Sequence, residues 1–134
     1  MHRGHARALM TSPVTSVTPE ATLTEIADLF AAQHISGVPV ADGEQRVLGF
    51  VSDTDIINAM LQGKGPEVTA FSLMSAPVVT VDEFDTTDDV MRVLRENNIH
   101  HVPVVRHHKL VGIITPTDVI RYLVTVLPST PQAG

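Results

Sequence analysis

Apolar residues fall into two kinds of run along the chain, and the same succession of runs occurs twice. Leu23, Ile26, Ala27 and Phe30 recur at helical spacing behind Thr22, and Val90, Met91 and Leu94 do the same behind Thr86. Thr22-x-x-Glu25 and Thr86-x-x-Asp89 look like capping boxes, in which a hydroxyl and a carboxylate three residues apart satisfy each other's backbone N–H groups. Each predicts the start of a helix. Short β-branched runs follow, Val38 to Ala41 with Val47 to Val51, and Val102 to Val105 with Leu110 to Ile114. Turn residues over Ala41 to Arg46, including Asp42-Gly43, and over Arg106-His107-His108-Lys109 join each pair into a hairpin. A second helix is predicted from about Asp53 to Leu61, and from about Pro116 to Leu127.

The duplication is visible in the residues themselves. Leu9-Met10-Thr11-Ser12-Pro13-Val14 returns 64 residues later as Leu73-Met74-Ser75-Ala76-Pro77-Val78, and Ile35-Ser36-Gly37-Val38-Pro39-Val40 returns at the same offset as Ile99-His100-His101-Val102-Pro103-Val104. One deletion in the hairpin turn then moves the offset to 63, so that Gly49-Phe50-Val51-Ser52-Asp53-Thr54-Asp55 matches Gly112-Ile113-Ile114-Thr115-Pro116-Thr117-Asp118. Each copy reads as a short strand, a helix, a hairpin and a helix, roughly 50 residues, too few to bury both helices and a sheet alone. The two copies are therefore expected to pack as one unit. The boundaries expected are 7–62 for the first copy, 63–72 for a linker holding Gly63, Gly65 and Pro66, 73–127 for the second copy, and 128–134 for a flexible tail.

Composition narrows the chemistry. The 43% hydrophobic content with only 4% aromatic residues predicts an aliphatic core. The absence of cysteine removes thiol nucleophiles and thiolate metal sites, and fits a reducing compartment. With neither a signal-peptide pattern in Met1 to Arg7 nor an apolar run of about 18 residues, a cytoplasmic protein is expected, with no membrane partner. A formal charge of −6, with nine Lys and Arg scattered from Arg3 to Arg121, makes nucleic acid a poor partner. Gly63-Lys64-Gly65 lacks the rest of a P-loop and no G-x-S-x-G elbow is present, so no enzyme is expected. Adjacent residues on a strand point to opposite faces, which leaves His100-His101 and His107-His108 badly placed to chelate one metal ion. His107 and His108 are expected in solvent at the hairpin turn, and His34 against the last carbonyls of the first helix.

Two copies of L-M-x-x-P-V, I-x-x-V-P-V and G-h-h-[ST]-x-x-D resemble the CBS domain, over about residues 7 to 126. The resemblance implies an α/β fold of two tandem β-α-β-β-α repeats packed with pseudo-two-fold symmetry. It also implies a regulatory nucleotide-sensing module that binds an adenosine-containing ligand in clefts between the repeats. AMP comes first among these, with ADP, ATP, S-adenosylmethionine or NAD as alternatives. The G-h-h-[ST]-x-x-D segment ends a strand and opens a helix, where unpaired N–H groups favour an anion. A hydroxyl at Ser52 or Thr115 can donate to a phosphate, and a carboxylate at Asp55 or Asp118 can accept from a ribose diol. Helix capping alone explains the same spacing, and both readings stay open at the level of the sequence.

By position, the resemblance implies crosswise clefts. One joins Ser52, Thr54 and Asp55 to Pro77, Val79, His100 and His101; the other joins Thr115, Thr117 and Asp118 to Pro13, Thr15, Ile35 and Ser36. The histidines fall where relatives contact phosphate, so the Asp55 cleft is the one expected to take it. Thr54 and Thr117 stand where many members carry Arg, which disfavours a triphosphate. The rival reading is a constitutive homodimerisation module with empty clefts. A homodimer is expected in either case, because Ile56, Ile57 and Met60, and Val119, Ile120 and Leu123, occupy more than one face of their helices.

Overall fold

In a computed structural model that describes residues 4–127, the chain runs α1 (Ala6–Leu9), α2 (Leu23–Gln33), β1 (Gly37–Ala41), β2 (Val47–Ser52), α3 (Asp53–Leu61), α4 (Ala70–Leu73), β3 (Val81–Asp82), α5 (Thr87–Glu96), β4 (Val102–Arg106), β5 (Lys109–Ile114) and α6 (Pro116–Val126). The tail expected over 128–134 lies outside the described residues. The predicted hairpins and long helices are all present, and two four-residue helices, α1 and α4, are added to them.

Local chemistry accounts for the boundaries. At α2 the Thr22 hydroxyl accepts from the Glu25 N–H at 3.2 Å while the Thr22 N–H donates to the Glu25 carboxylate at 3.2 Å. At α5 only half of the expected box forms: Thr86 accepts from the Asp89 N–H at 3.1 Å, but the Asp89 carboxylate turns to Arg92 at 2.7 Å. The guanidinium is the stronger partner for an exposed carboxylate. His34 ends α2 in the left-handed region, φ 54°, and its backbone N–H donates to the Phe30 carbonyl. The second hairpin turns on His107 and His108, both left-handed, in the two-residue geometry that suits the twist of paired strands.

β1 pairs antiparallel with β2, and β4 pairs antiparallel with β5 and parallel with β3. The first copy's counterpart of β3 shrinks to a single bridge between Val17 and Val40. The hairpins meet edgewise near their turns, where Arg46 bridges Lys109 and the Leu110 N–H donates to the Gln45 carbonyl at 2.8 Å.

The cores do not follow the repeat boundaries. Ala21, Ile26, Val38, Val40 and Val51 of the first copy enclose Ala70 of α4, with Leu73 and Met74 packed against them. Val81, Val90, Val102, Val104, Ile114 and Val119 of the second copy enclose Ala6 and Leu9 of α1, with Met10 against them. Each opening helix is thus buried in the opposite copy. Backbone bonds fix the exchange: Ala6 N–H to Asp85 O at 2.7 Å and Arg7 N–H to Glu83 O at 2.9 Å, matched by Ala70 N–H to Ala21 O at 2.7 Å and Phe71 N–H to Pro19 O at 3.0 Å. The linker expected over 63–72 is accordingly shorter, since Pro66 O and Val68 O already accept from Thr24 and Leu23, and Ala70 is fully buried.

Beyond each opening helix the chain adds to the other copy's hairpin. Thr11 exchanges two backbone bonds with Ile113, at 2.8 and 3.2 Å, and Ser75 exchanges two with Phe50, at 2.9 and 3.0 Å. The preceding methionines lie directly on glycines. A Cβ at Gly112 would stand 3.0 Å from the Met10 Cβ, and one at Gly49 would stand 2.9 Å from the Met74 Cβ. Gly112→Val is therefore expected to lower stability by about 1–3 kcal/mol, with part of the loss recovered when Met10→Ala is added. Thermal denaturation measures both. An unchanged melting temperature in the single variant would show that this contact does not limit the packing of the two copies.

Candidate functional site

Two cavities open between the copies, of about 690 and 440 Å³. In the first, Pro13 and Thr15 of the segment after α1, and Gln33, His34, Ile35 and Ser36 at the end of α2, face Ile113, Thr115, Pro116 and Thr117. In the second, Ser75, Pro77 and Val79 of the segment after α4 face Phe50, Ser52, Asp53 and Thr54. The crossed arrangement follows from the exchange of α1 and α4, which carries each downstream segment to the opposite hairpin and helix. Pro13, Thr15, Ile35, Ser36, Thr115 and Thr117 thus share the first cavity, and Ser52, Thr54, Pro77, Val79, His100 and His101 share the second.

Asp55 and Asp118 line neither cavity. Asp55 accepts from the Ser52 N–H at 2.8 Å and the Ser52 hydroxyl at 3.1 Å, both on Oδ2, which leaves Oδ1 uncommitted among the described residues. Asp118 is 5% exposed, and both of its oxygens are engaged. Oδ2 accepts from the Thr115 N–H and hydroxyl at 2.9 and 3.2 Å, and Oδ1 accepts from the Thr11 hydroxyl at 3.0 Å and Arg121 at 2.9 Å. This carboxylate caps α6 and ties the exchanged segment to it. A free acceptor for a ribose diol, as expected of Asp118, is not what the fold presents.

The histidines serve the expected cavity and the other one as well. His100 and His101 line both cavities, together with Ser36, because these three residues stand on the wall the cavities share. His101 Nε2 lies 3.2 Å from the Ser36 hydroxyl, and its ring is tilted 38° to Phe50 at 5.0 Å. Gly37 makes the room: a Cβ there would fall 2.6 Å from Phe50 Cε1 and 3.0 Å from His101 Cε1. Burial holds the His101 pKa below its ordinary 6.5, with the Asp53 carboxylate pulling it back up and His100 pushing it further down. His101 is therefore mainly a neutral hydrogen-bonding group at neutral pH. Phe50, Asp53 and Ser75 were absent from the predicted set, although the Phe50 position could have been found by extending the hairpin register from Val51. Among the described residues no three or more His, Asp or Glu side chains converge as a metal set.

Comparison with known proteins places these features. The family model described as CBS domain matches residues 6–62 and 69–125. The Hypoxic response protein 1 of Mycobacterium tuberculosis is 32% identical over 120 residues, 88% of this chain and 84% of that protein. A crystal structure of Hypoxic Response Protein I, with two coordinated zinc ions, superposes with a TM-score of 0.82 over 89% of this chain and 98% of that one. The CBS domain pair of protein MJ0100, in complex with 5′-methylthioadenosine and S-adenosyl-L-methionine, is 25% identical, with a TM-score of 0.82 over 92% of this chain and 98% of that one.

The buried imidazole gives the protein a predictable pH dependence. Because the folded His101 pKa lies below 6.5, the unfolded chain binds more protons than the folded one between the two values. The stability from this group is complete above 6.5 and is lost as pH falls through the folded pKa. The melting temperature of the unaltered protein should thus drop relative to that of His101→Gln as pH is lowered from about 7.5 to about 5. Parallel melting curves across that range would place the acid sensitivity elsewhere.

Proposed function

The chain belongs to the CBS domain family, which matches residues 6–62 and 69–125 in tandem, and from that premise we propose that it is a non-catalytic regulatory module whose inter-repeat cavities bind an adenosine-containing ligand, AMP foremost. The observation that carries the reading is the pair of cavities itself. At about 690 and 440 Å³ both are of small-molecule size, and each sets hydroxyls at a helix start, Thr115 and Thr117 or Ser52 and Thr54, across from apolar residues, Pro13 and Ile35 or Pro77 and Val79. The adenosyl ligands of the MJ0100 pair support adenosine recognition in this architecture. ADP, ATP, S-adenosylmethionine and NAD are the further candidates.

In this reading Asp55, which lies just outside the second cavity's wall next to Thr54 and keeps Oδ1 uncommitted among the described residues, is the proposed ribose acceptor. A ligand that touches both copies favours the arrangement in which its contacts are best, and a regulated partner reads the shift through its own differential affinity. No helix among the described residues is long and apolar enough to cross a membrane, and the cytoplasm is the proposed location.

The same helices supply a surface for self-association. Leu61 is 81% exposed at the end of α3 and Val124 76% exposed on α6, with Ile57, Met60, Ile120 and Phe71 of α4 also exposed. The proposal includes a homodimer through these helices, since this many large apolar side chains are costly to leave in water. A constitutive dimer with empty cavities remains the second reading, favoured by the lack of any Lys or Arg among the described residues of either cavity wall.

Thermal shift and calorimetry with AMP, adenosine, ATP, S-adenosylmethionine and NAD separate the two. AMP at about a hundred times its Kd should stabilise the protein by about 2.7 kcal/mol. No shift and no heat with any of the five at millimolar concentration would leave the constitutive dimer. Light scattering at tens of micromolar should give twice the chain mass, and Leu61→Glu with Val124→Glu should give the monomer. A monomer without substitution would rule out the association.

A further inference from the structure

The two cavities face helices of different charge. α3 brings Asp53 and Asp55 in its first turn and Asn58 in the next, and Asp53 belongs to the wall of the second cavity. At the equivalent positions α6 brings Pro116, Asp118 and Arg121, and Arg121 pairs with Asp118 at 2.9 Å. Among the described residues the Asp53 carboxylate accepts only from the N–H and hydroxyl of Thr54, and no Lys or Arg pairs with Asp53 or Asp55. Among the described residues the wall of the first cavity holds no Asp or Glu and includes three imidazoles, His34, His100 and His101, each of which offers an N–H even when neutral. The second cavity shares two of these imidazoles and adds the Asp53 carboxylate. His101, mainly neutral at neutral pH, does not cancel that charge.

We propose that the cavities divide ligands by charge: the first takes a phosphorylated nucleotide, and the second takes an adenosine derivative whose 5′ substituent carries no negative charge, with Asp53 as the residue that excludes phosphate. The inference rests on the adenosine reading above and assigns a ligand class to each cavity. A 5′-phosphate in the second cavity would stand beside an exposed carboxylate that no cation pairs among the described residues, and like charges at close range repel even with solvent screening. In the first cavity no carboxylate residue lines the wall among the described residues, and Asp118, next to Thr117, is buried and paired with Arg121. The division reverses the expectation that the Asp55 cleft takes the phosphate, because the histidines on which that expectation stood serve both cavities.

Calorimetry on the full chain with AMP and adenosine as probes tests the assignment. In the unaltered protein, saturating AMP should leave one equivalent of adenosine binding intact. Thr117→Trp fills the first cavity and Val79→Trp the second, each from an exposed position on one wall only. AMP binding should survive Val79→Trp and fall to a weak residual level in Thr117→Trp, while adenosine still binds the latter. Adding Asp53→Asn to Thr117→Trp should raise AMP affinity about tenfold and leave adenosine affinity within about twofold. AMP that is lost in Val79→Trp and kept in Thr117→Trp overturns the division, as does an Asp53→Asn effect equal for both ligands. Complete displacement of adenosine by AMP in the unaltered protein overturns it without any variant. Neither probe binding at all would overturn the adenosine reading along with it.

Discussion

Each copy's hairpin is closed by four residues that belong to the other copy. Ala6 and Leu9 complete the core around Val102, Val104 and Ile114, and Ala70 completes the one around Val38, Val40 and Val51. Neither half retains a full apolar core without the other, so the two copies gain their stability together. The exchange also decides where the cavities lie. Once α1 and α4 are held in the opposite cores, the segments behind them, from Thr11 to Thr15 and from Ser75 to Val79, are laid along the opposite hairpins and beside the opposite helix starts.

Repetition in sequence with divergence in side chain makes one scaffold serve two different sites. Gly37 and His101 occupy equivalent places, and the missing side chain of the first is filled by Phe50 and the imidazole of the second. The shared wall is therefore asymmetric. Burial there favours the uncharged imidazole, which bonds to Ser36 rather than acting as a cation, and the electrostatic character of each cavity is left to the helix that opens onto it. Asp53 and Pro116, and Asn58 and Arg121, are the pairs of equivalent positions at which that character diverges.

The Ser-x-x-Asp and Thr-x-x-Asp segments show how one spacing serves two physical demands. A carboxylate three residues past the end of a strand is the ideal acceptor for the helix-start N–H, and Asp55 and Asp118 both do this work. What remains after capping differs between them. Thr11 and Arg121 take up the rest of Asp118, whereas Asp55 keeps one oxygen uncommitted among the described residues. The buried Glu83 carboxylate meets Arg106 at 2.6 Å within the second copy, while the Glu83 backbone carbonyl joins the copies by accepting from the Arg7 N–H.

Much of this was legible in the chain alone. Periodicity and capping residues gave the four long helices, β-branched runs gave the hairpins, and the recurrence of three motifs gave the duplication, because those signals are local and depend on residues a few positions apart. The crosswise grouping of Pro13 with Thr115 and of Pro77 with Ser52 followed from the family resemblance, and the two cavities bring those residues together. Only the tertiary structure showed α1 and α4, since four residues carry too little periodicity to announce a helix and are held by long-range burial. Only the tertiary structure showed that Asp118 is fully engaged while Asp55 keeps one oxygen uncommitted among the described residues, and placed His100 and His101 on a common wall. Capping spacing is blind to what else reaches a carboxylate, and a pair of adjacent histidines on the approach to a strand does not say which spaces lie on either side of it.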